Sequence, residues 1–160
     1  MLQKADSKLE SKFVFTNHKR NNTGDTGKQY MSSAGNFEKL CNQIFGLSSN
    51  IRFVGIINGM GDLVSGGMRE GIQSMENNES SSKLYLEFVL RSEMRKDQDA
   101  EFGKTIYSFS ERERIKFAVF PLLQNHLLMV SMEKREIDHE RIIQDILMLK
   151  SSSDSHPHPT

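Results

Sequence analysis

Ile51-Arg52-Phe53-Val54-Gly55-Ile56-Ile57-Asn58-Gly59-Met60-Gly61-Asp62-Leu63-Val64-Ser65-Gly66-Gly67 is the stretch that decides the fold. Ile51 to Asn58 is nearly all apolar and rich in β-branched residues, which suits a central strand covered on both faces. Asn58-Gly59-Met60-Gly61-Asp62 is a turn, with Gly supplying the positive φ that a hairpin loop requires, and Leu63 to Met68 returns as a second strand. Gly55, Gly66 and Gly67 fall inside the strands, where Gly marks a bulge or a closely packed neighbour. A phosphate loop would need these glycines to open onto a helix through Gly-Lys-Ser/Thr; a strand follows instead, so the hairpin reading stands.

Upstream, Phe37, Leu40, Cys41, Ile44 and Phe45 recur on one face of a short helix, with Asn36 placed to cap its start and Gly46 to end it. Downstream, a polar loop from Gln73 to Ser82 leads into a long helix from Lys83 to about Phe102. There Leu86, Val89, Leu90 and Met94 make a stripe that Leu84, Tyr85 and Phe88 widen. That face is broader than one sheet contact requires, and a second copy of the chain is the simplest cover for the surplus.

Gly103 ends the long helix, and Thr105 to Phe109 reads as a half-buried strand with Thr105, Tyr107 and Phe109 on one side. Ile115 to Pro121 and His126 to Met132 form a second antiparallel pair around Leu123-Gln124-Asn125. A last helix starts at a capping Asp138, with Ile137 and Ile142 as a hydrophobic staple and Ile143, Ile146, Leu147 and Leu149 as its apolar side. The order α-β-β-α-β-β-β-α gives an α+β domain with a five-stranded antiparallel sheet packed with helices.

A chain of 160 residues with 26% charged residues and a formal net charge of 0 is expected to form one domain. It has no whole-molecule field to gather nucleic acid or an anionic membrane, so neither is expected as a partner. The lone Cys41 cannot build a disulfide framework, the start Met1 to Asp6 lacks the apolar run of a signal peptide, and no segment approaches a membrane span. A cytoplasmic setting follows as the expectation. Residues 1–35 read as a disordered, mildly basic arm around the island Phe13-Val14-Phe15, with Lys12, Lys19, Arg20 and Lys28 as solvated charge. Residues 36–150 form the domain, and residues 151–160 a polar tail.

Candidate chemistry is thin. Glu136-Ile137-Asp138-His139 has the Glu-x-x-His spacing of di-iron bundles, but such sites need two copies and further carboxylates. His156 and His158 read as solvated polymer, and nothing places Cys41 beside His126. Arg112, Arg114 and Lys116 alternate with Glu111 and Glu113 as a small basic ridge or, more simply, an exposed strand end. Met68, Met75, Met94, Met129, Met132 and Met148 read as core or interface filler. No catalytic, cofactor-binding or metal-ligating residue is nominated, and the chain is expected not to be an enzyme.

Two resemblances add to this. Lys39-Leu40-Cys41-Asn42-Gln43-Ile44-Phe45, Ile51-Arg52-Phe53-Val54-Gly55, Gly66-Gly67-Met68-Arg69-Glu70-Gly71, Tyr107-Ser108-Phe109-Ser110-Glu111-Arg112-Glu113 and Phe120-Pro121-Leu122 resemble a family of small uncharacterised cytosolic proteins from ammonia-oxidising archaea, which implies no activity. The element order is similar to that of roadblock and dynein-light-chain domains. That resemblance implies a homodimer made by pairing the middle helix and an edge strand, here Lys83 to Phe102 and Lys104 to Ser110, and a scaffold or regulatory role, with a small GTPase as a possible partner. The candidate dimer interface is Leu86, Val89, Leu90, Met94, Ile106 and Phe109. The alternative is a PAS-like or profilin-like sensor in which Gly55 and Gly66 leave room for a small ligand.

Overall fold

A computed structural model describes residues 27–154 of the chain. Its elements are α1 (Gly27–Phe45), β1 (Ile51–Ile57), β2 (Leu63–Met68), α2 (Asn78–Lys96), a single turn α3 (Asp99–Phe102), β3 (Ser108–Glu111), β4 (Ile115–Pro121), β5 (Leu127–Glu133) and α4 (His139–Asp154). The five strands form one antiparallel sheet in the order β2-β1-β5-β4-β3. This is the expected α+β architecture, except that the middle helix expected to run to about Phe102 ends at Lys96 and resumes as the single turn α3.

The sheet separates two apolar layers. On one face, Leu40, Cys41, Ile44 and Phe45 of α1 and Ile142, Ile143 and Ile146 of α4 pack on Ile51, Val54, Ile56, Ala118, Phe120, Leu128, Val130 and Met132. On the other, Val89 of α2 packs on Phe53, Ile57, Val119, Leu127 and Met129, with Tyr85, Phe88 and Met68 partly buried beside them. Strand β1 contributes to both layers, which is why it carries almost no polar residue. Ile51 and Val54 share a face although three residues apart, because the register against β5 shifts between Ile51 and Phe53.

The hairpin glycines are structural. Gly61 has φ +83° in the β1–β2 turn, where the Asn58 side-chain oxygen accepts from the backbone N–H of Met60 and Asp62. Gly66 has φ +85°, and a Cβ there would lie 2.1 Å from the Val54 carbonyl oxygen. The space beside Gly55 is taken by the Phe53 ring and Leu63. Neither glycine leaves room for a ligand.

Several expected boundaries move. Helix α1 begins at Gly27, so Asn36 lies inside it and the expected arm overlaps the helix from residue 27 onward; the Phe13 island, Lys12, Lys19 and Arg20 lie outside the described residues. Helix α4 runs to Asp154, with the Ser151 and Ser152 hydroxyls donating back to the Leu147 and Met148 carbonyls, so the expected tail starts as helix. His156 and His158 also lie outside the described residues. The long middle helix starts earlier, at Asn78, because the Asn77 side chain accepts from Ser80 N–H at 2.8 Å and caps it. Strand β3 starts later than expected, at Ser108, although Tyr107 and Phe109 keep the common side read from the alternation, on Phe120 and on the α1–α4 layer respectively. Ile137 is exposed while Ile142 is buried, so the staple is not made.

Candidate interaction surface

Helix α2 covers its sheet face and is tied there at few points. Phe53 and Tyr85 stack with ring centroids 6.0 Å apart, and Phe88 meets Phe117 at 5.7 Å. The β1–β2 turn presses on the helix backbone, since a Cβ on Gly61 would approach Leu86 to 3.2 Å. Near the helix C-terminus, Arg95 donates to the Ser108 hydroxyl and Lys96 to the Asn125 side chain. Val89 is the one residue of α2 that is buried.

The opposite side of α2 is apolar and open. Leu86, Leu90 and Met94 recur at helical spacing with relative exposures of 45%, 55% and 72%. Flanking charges are paired along the helix, Lys83 with Glu79, Arg91 with Glu87 and Lys96 with Glu93, all well exposed. Such pairs give solubility rather than stability. At the sheet edge, β3 is only four residues long and is bonded to β4 on one side alone. Ile106, just ahead of it, is exposed.

The six residues expected at a dimer interface therefore divide. Leu86, Leu90, Met94 and Ile106 are open to a partner. Val89 is buried in the core of its own chain, and Phe109 packs into the α1–α4 layer and stacks on the His139 ring at 4.7 Å. The sequence stripe misplaced Val89 because a helix contacting a sheet on one side and open on the other shows apolar residues on both, and periodicity does not rank them. Phe102, on α3, is a further exposed apolar residue that the stripe did not include.

The polar groups singled out for chemistry each have a structural task. The Glu136 carboxylate accepts from the Ser48 hydroxyl at 2.5 Å, from Asn50 at 3.1 Å and from Asp138 N–H at 2.9 Å. Its pKa is lowered, foremost by the Ser48 hydrogen bond and further by the Asp138 N–H and Asn50, against the opposing effect of burial. Lys116 is buried, donates to the Glu136 carbonyl oxygen at 2.5 Å and lies 3.4 Å from His139 Nδ1. It is thus no part of a ridge with Arg112 and Arg114, which are exposed in the β3–β4 turn. Burial pushes the Cys41 thiol up to about 12, partly offset by a hydrogen bond to Ser65, while His126 packs against Phe37. Arg69, which sequence reading quoted only within a motif, closes the end of α1: its guanidinium donates to the carbonyls of Phe45, Ser48 and Ile51 at 2.6–2.8 Å and sits over the Phe45 ring. Desolvation lowers its pKa. Among the methionines, Met129 and Met132 are core, while Met75, Met94 and Met148 are exposed.

Comparison with known proteins places this geometry. The model of a family of unknown function, DUF6659, matches residues 33–151. The chain belongs to that family. No curated protein sequence matches it. Among solved structures it is similar to a roadblock/LC7 domain from Streptomyces avermitilis, with 12% identity, a TM-score of 0.56, and coverage of 73% of this chain and 93% of that one. Myxococcus xanthus MglB is similar at 13% identity and TM-score 0.57, covering 79% of this chain and 94% of that one. A structure described as MglB with tetrameric arrangement is similar at 11% identity and TM-score 0.52, covering 79% and 93%. At such identities the likeness shows the fold, and this DUF6659 chain has the roadblock fold. No helix among its described residues is long and apolar enough to cross a membrane.

Proposed function

We propose that this DUF6659 chain is a non-enzymatic, homodimeric interaction module that acts as a regulatory scaffold. The observation that carries the reading is the outer side of α2, where Leu86, Leu90 and Met94 stand exposed in a row on a helix with a single buried residue. A stripe of that kind is costly to leave in water and cheap to cover with its own copy about a two-fold axis, because one self-complementary patch then buries both faces. The start of edge strand β3 meets the C-terminal end of α2, where Arg95 donates to the Ser108 hydroxyl, and Ile106 just ahead of it is exposed. A roadblock-fold relative described as having a tetrameric arrangement supports self-assembly as a use of this fold.

The non-enzymatic part rests on the polar groups. Glu136, Lys116 and Cys41 are each engaged in bonds that hold elements together, and His139 is stacked on Phe109. A regulatory protein partner such as a small GTPase, an archaeal source and a cytoplasmic setting complete the proposal. Sedimentation velocity of the full-length chain tests it: a concentration-dependent dimer is the expected result, and a monomer at all concentrations overturns the reading.

A further inference from the structure

A cavity of about 430 Å³ lies between the N-terminal half of α2 and the sheet, on the side of the helix opposite Leu90. Its floor is a row of cross-strand neighbours. Met68 pairs with Phe53, Phe53 with Ser131, and Ser131 with Phe117, so one hydroxyl sits between two phenyl rings. Its roof is Ser81, Ser82 and Tyr85 of α2.

Ser131 is the anomaly. It occupies the middle of the central strand β5, whose other residues from Leu127 to Met132 are apolar and buried, and it is itself only 4% exposed. Its side chain has no hydrogen bond among the described residues, and no fully occluded polar side-chain atom there lacks a partner, so the Ser131 hydroxyl opens into the cavity. Open to the cavity and bonded to no side chain around it, that hydroxyl is free to meet whatever occupies the space.

The cation at the rim is already paired. Arg52 donates to the Glu133 carboxylate at 2.6 Å and to the Gln73 carbonyl at 3.0 Å, and Glu76 accepts from the Ser81 hydroxyl at 3.1 Å. An anionic ligand would find no free cation, and the Phe53–Ser131–Phe117 floor carries no charge, which suits a neutral ligand seated on it. The lining is mixed, with Phe53, Tyr85, Phe117 and Met129 beside Ser74, Glu76 and Asn78. The volume lies within the range of small-molecule sites, roughly 300–1,000 Å³.

We infer that this cavity is a binding site for a small neutral molecule with a flat apolar body and one hydrogen-bonding group, seated on the Phe53–Ser131–Phe117 row with that group on the Ser131 hydroxyl. The site is separate from the assembly surface on the outer side of α2, and it does not depend on the chain being a dimer.

Prodan, a neutral naphthalene ketone, has this chemistry, and its emission shifts to the blue in apolar surroundings. Titrated into the full-length protein, it is expected to bind saturably at one site per chain. Ser131→Ala should weaken binding about three- to tenfold, the loss of one hydrogen bond. Ser131→Leu should abolish it by filling the floor, and Leu90→Asp should leave it unchanged. Circular dichroism of each variant establishes that it is folded, and if Ser131→Leu is not, Ser131→Ala decides alone. Absence of saturable binding overturns the inference. So does binding that Leu90→Asp removes and the Ser131 variants do not, since the probe would then sit on the outer apolar stripe or between two copies. Sedimentation of the same samples reports the oligomeric state independently, so loss of the dimer and loss of the site are read apart.

Discussion

Replacing Leu90 by Asp separates assembly from folding. Fully burying a Leu or Met side chain is worth about 1.5–3 kcal/mol. With Leu86 45%, Leu90 55% and Met94 72% exposed in the single chain, covering the remainder contributes about 1 kcal/mol for each Leu and rather more for Met94. A two-fold interface counts each residue twice, so the three supply about 7 kcal/mol, which lies within the range of the association cost and leaves β3 and its neighbours to tip the balance. Leu90→Asp removes about 2 kcal/mol of this from the dimer and sets two carboxylates against an apolar surface at a cost of at least about 1 kcal/mol each. The expected sum is about 4 kcal/mol, a roughly thousandfold weaker dimer. The folded monomer should lose less than about 0.5 kcal/mol, since the position faces solvent there. Val89→Asp is the contrast: at 5% exposure it would bury an unpaired carboxylate against Phe53, Val119 and Met129, and should unfold the chain. Sedimentation velocity over a concentration series, with urea melts of the same proteins, measures both quantities. A Leu90→Asp chain that dimerises with wild-type affinity refutes the assignment of this face.

Three further outcomes follow from the packing. Arg69→Ala should cost about 2 kcal/mol in urea unfolding, because three carbonyls around the end of α1 lose a charged donor, and Arg69→Lys should recover only part of it, since one ammonium cannot match the fork. Glu136 is held below its ordinary pKa by Ser48 first and then by Asp138 N–H and Asn50, so its contribution is present above the usual carboxylate range and is lost as pH falls through the folded-state value; Glu136→Gln should flatten that acid limb of the stability curve, and a parallel decline in both proteins would count against the assignment. Cys41, pushed up to about 12 from 9.0, should react with Ellman's reagent only as fast as the chain opens, and its thiol should subtract from stability only as pH rises above about 9; prompt labelling of the native protein would contradict this.

The sheet was legible because its signals are local. An apolar β-branched run, a turn with Gly at a positive φ, and a second hairpin around Leu123 to Asn125 define four of the five strands without any knowledge of pairing. Strand β3 was blurred, because Thr105, Tyr107 and Phe109 alternate like a strand whether or not their backbone is paired, and pairing begins only at Ser108. The surplus of apolar residues on the middle helix was also legible, but its division into Val89 inward and Leu90 outward was not: adjacent helical positions lie about 100° apart, and only the placement of the sheet chooses between them. Long-range polar bonds escaped entirely. Arg69 reaches back to carbonyls at Phe45, Ser48 and Ile51, and Lys116 reaches ahead to Glu136, and no spacing rule links residues so far apart in the chain. Ser131 was hidden for the same reason, since it reads as one polar residue in an apolar strand until its neighbours on β1 and β4 prove to be phenylalanines.

Helix α2 joins the assembly face to the cavity. A helix of 19 residues that buries one of them on its own sheet has little to offset the entropy of being ordered there, compared with α1 and α4, which share a continuous layer of aliphatic side chains. What covers Leu86, Leu90 and Met94 from outside presses α2 toward the sheet, and what fills the space over Ser131 gives Ser81, Ser82 and Tyr85 something to rest on. Both act on the same helix from different sides, so Leu90→Asp perturbs the one and Ser131→Ala the other.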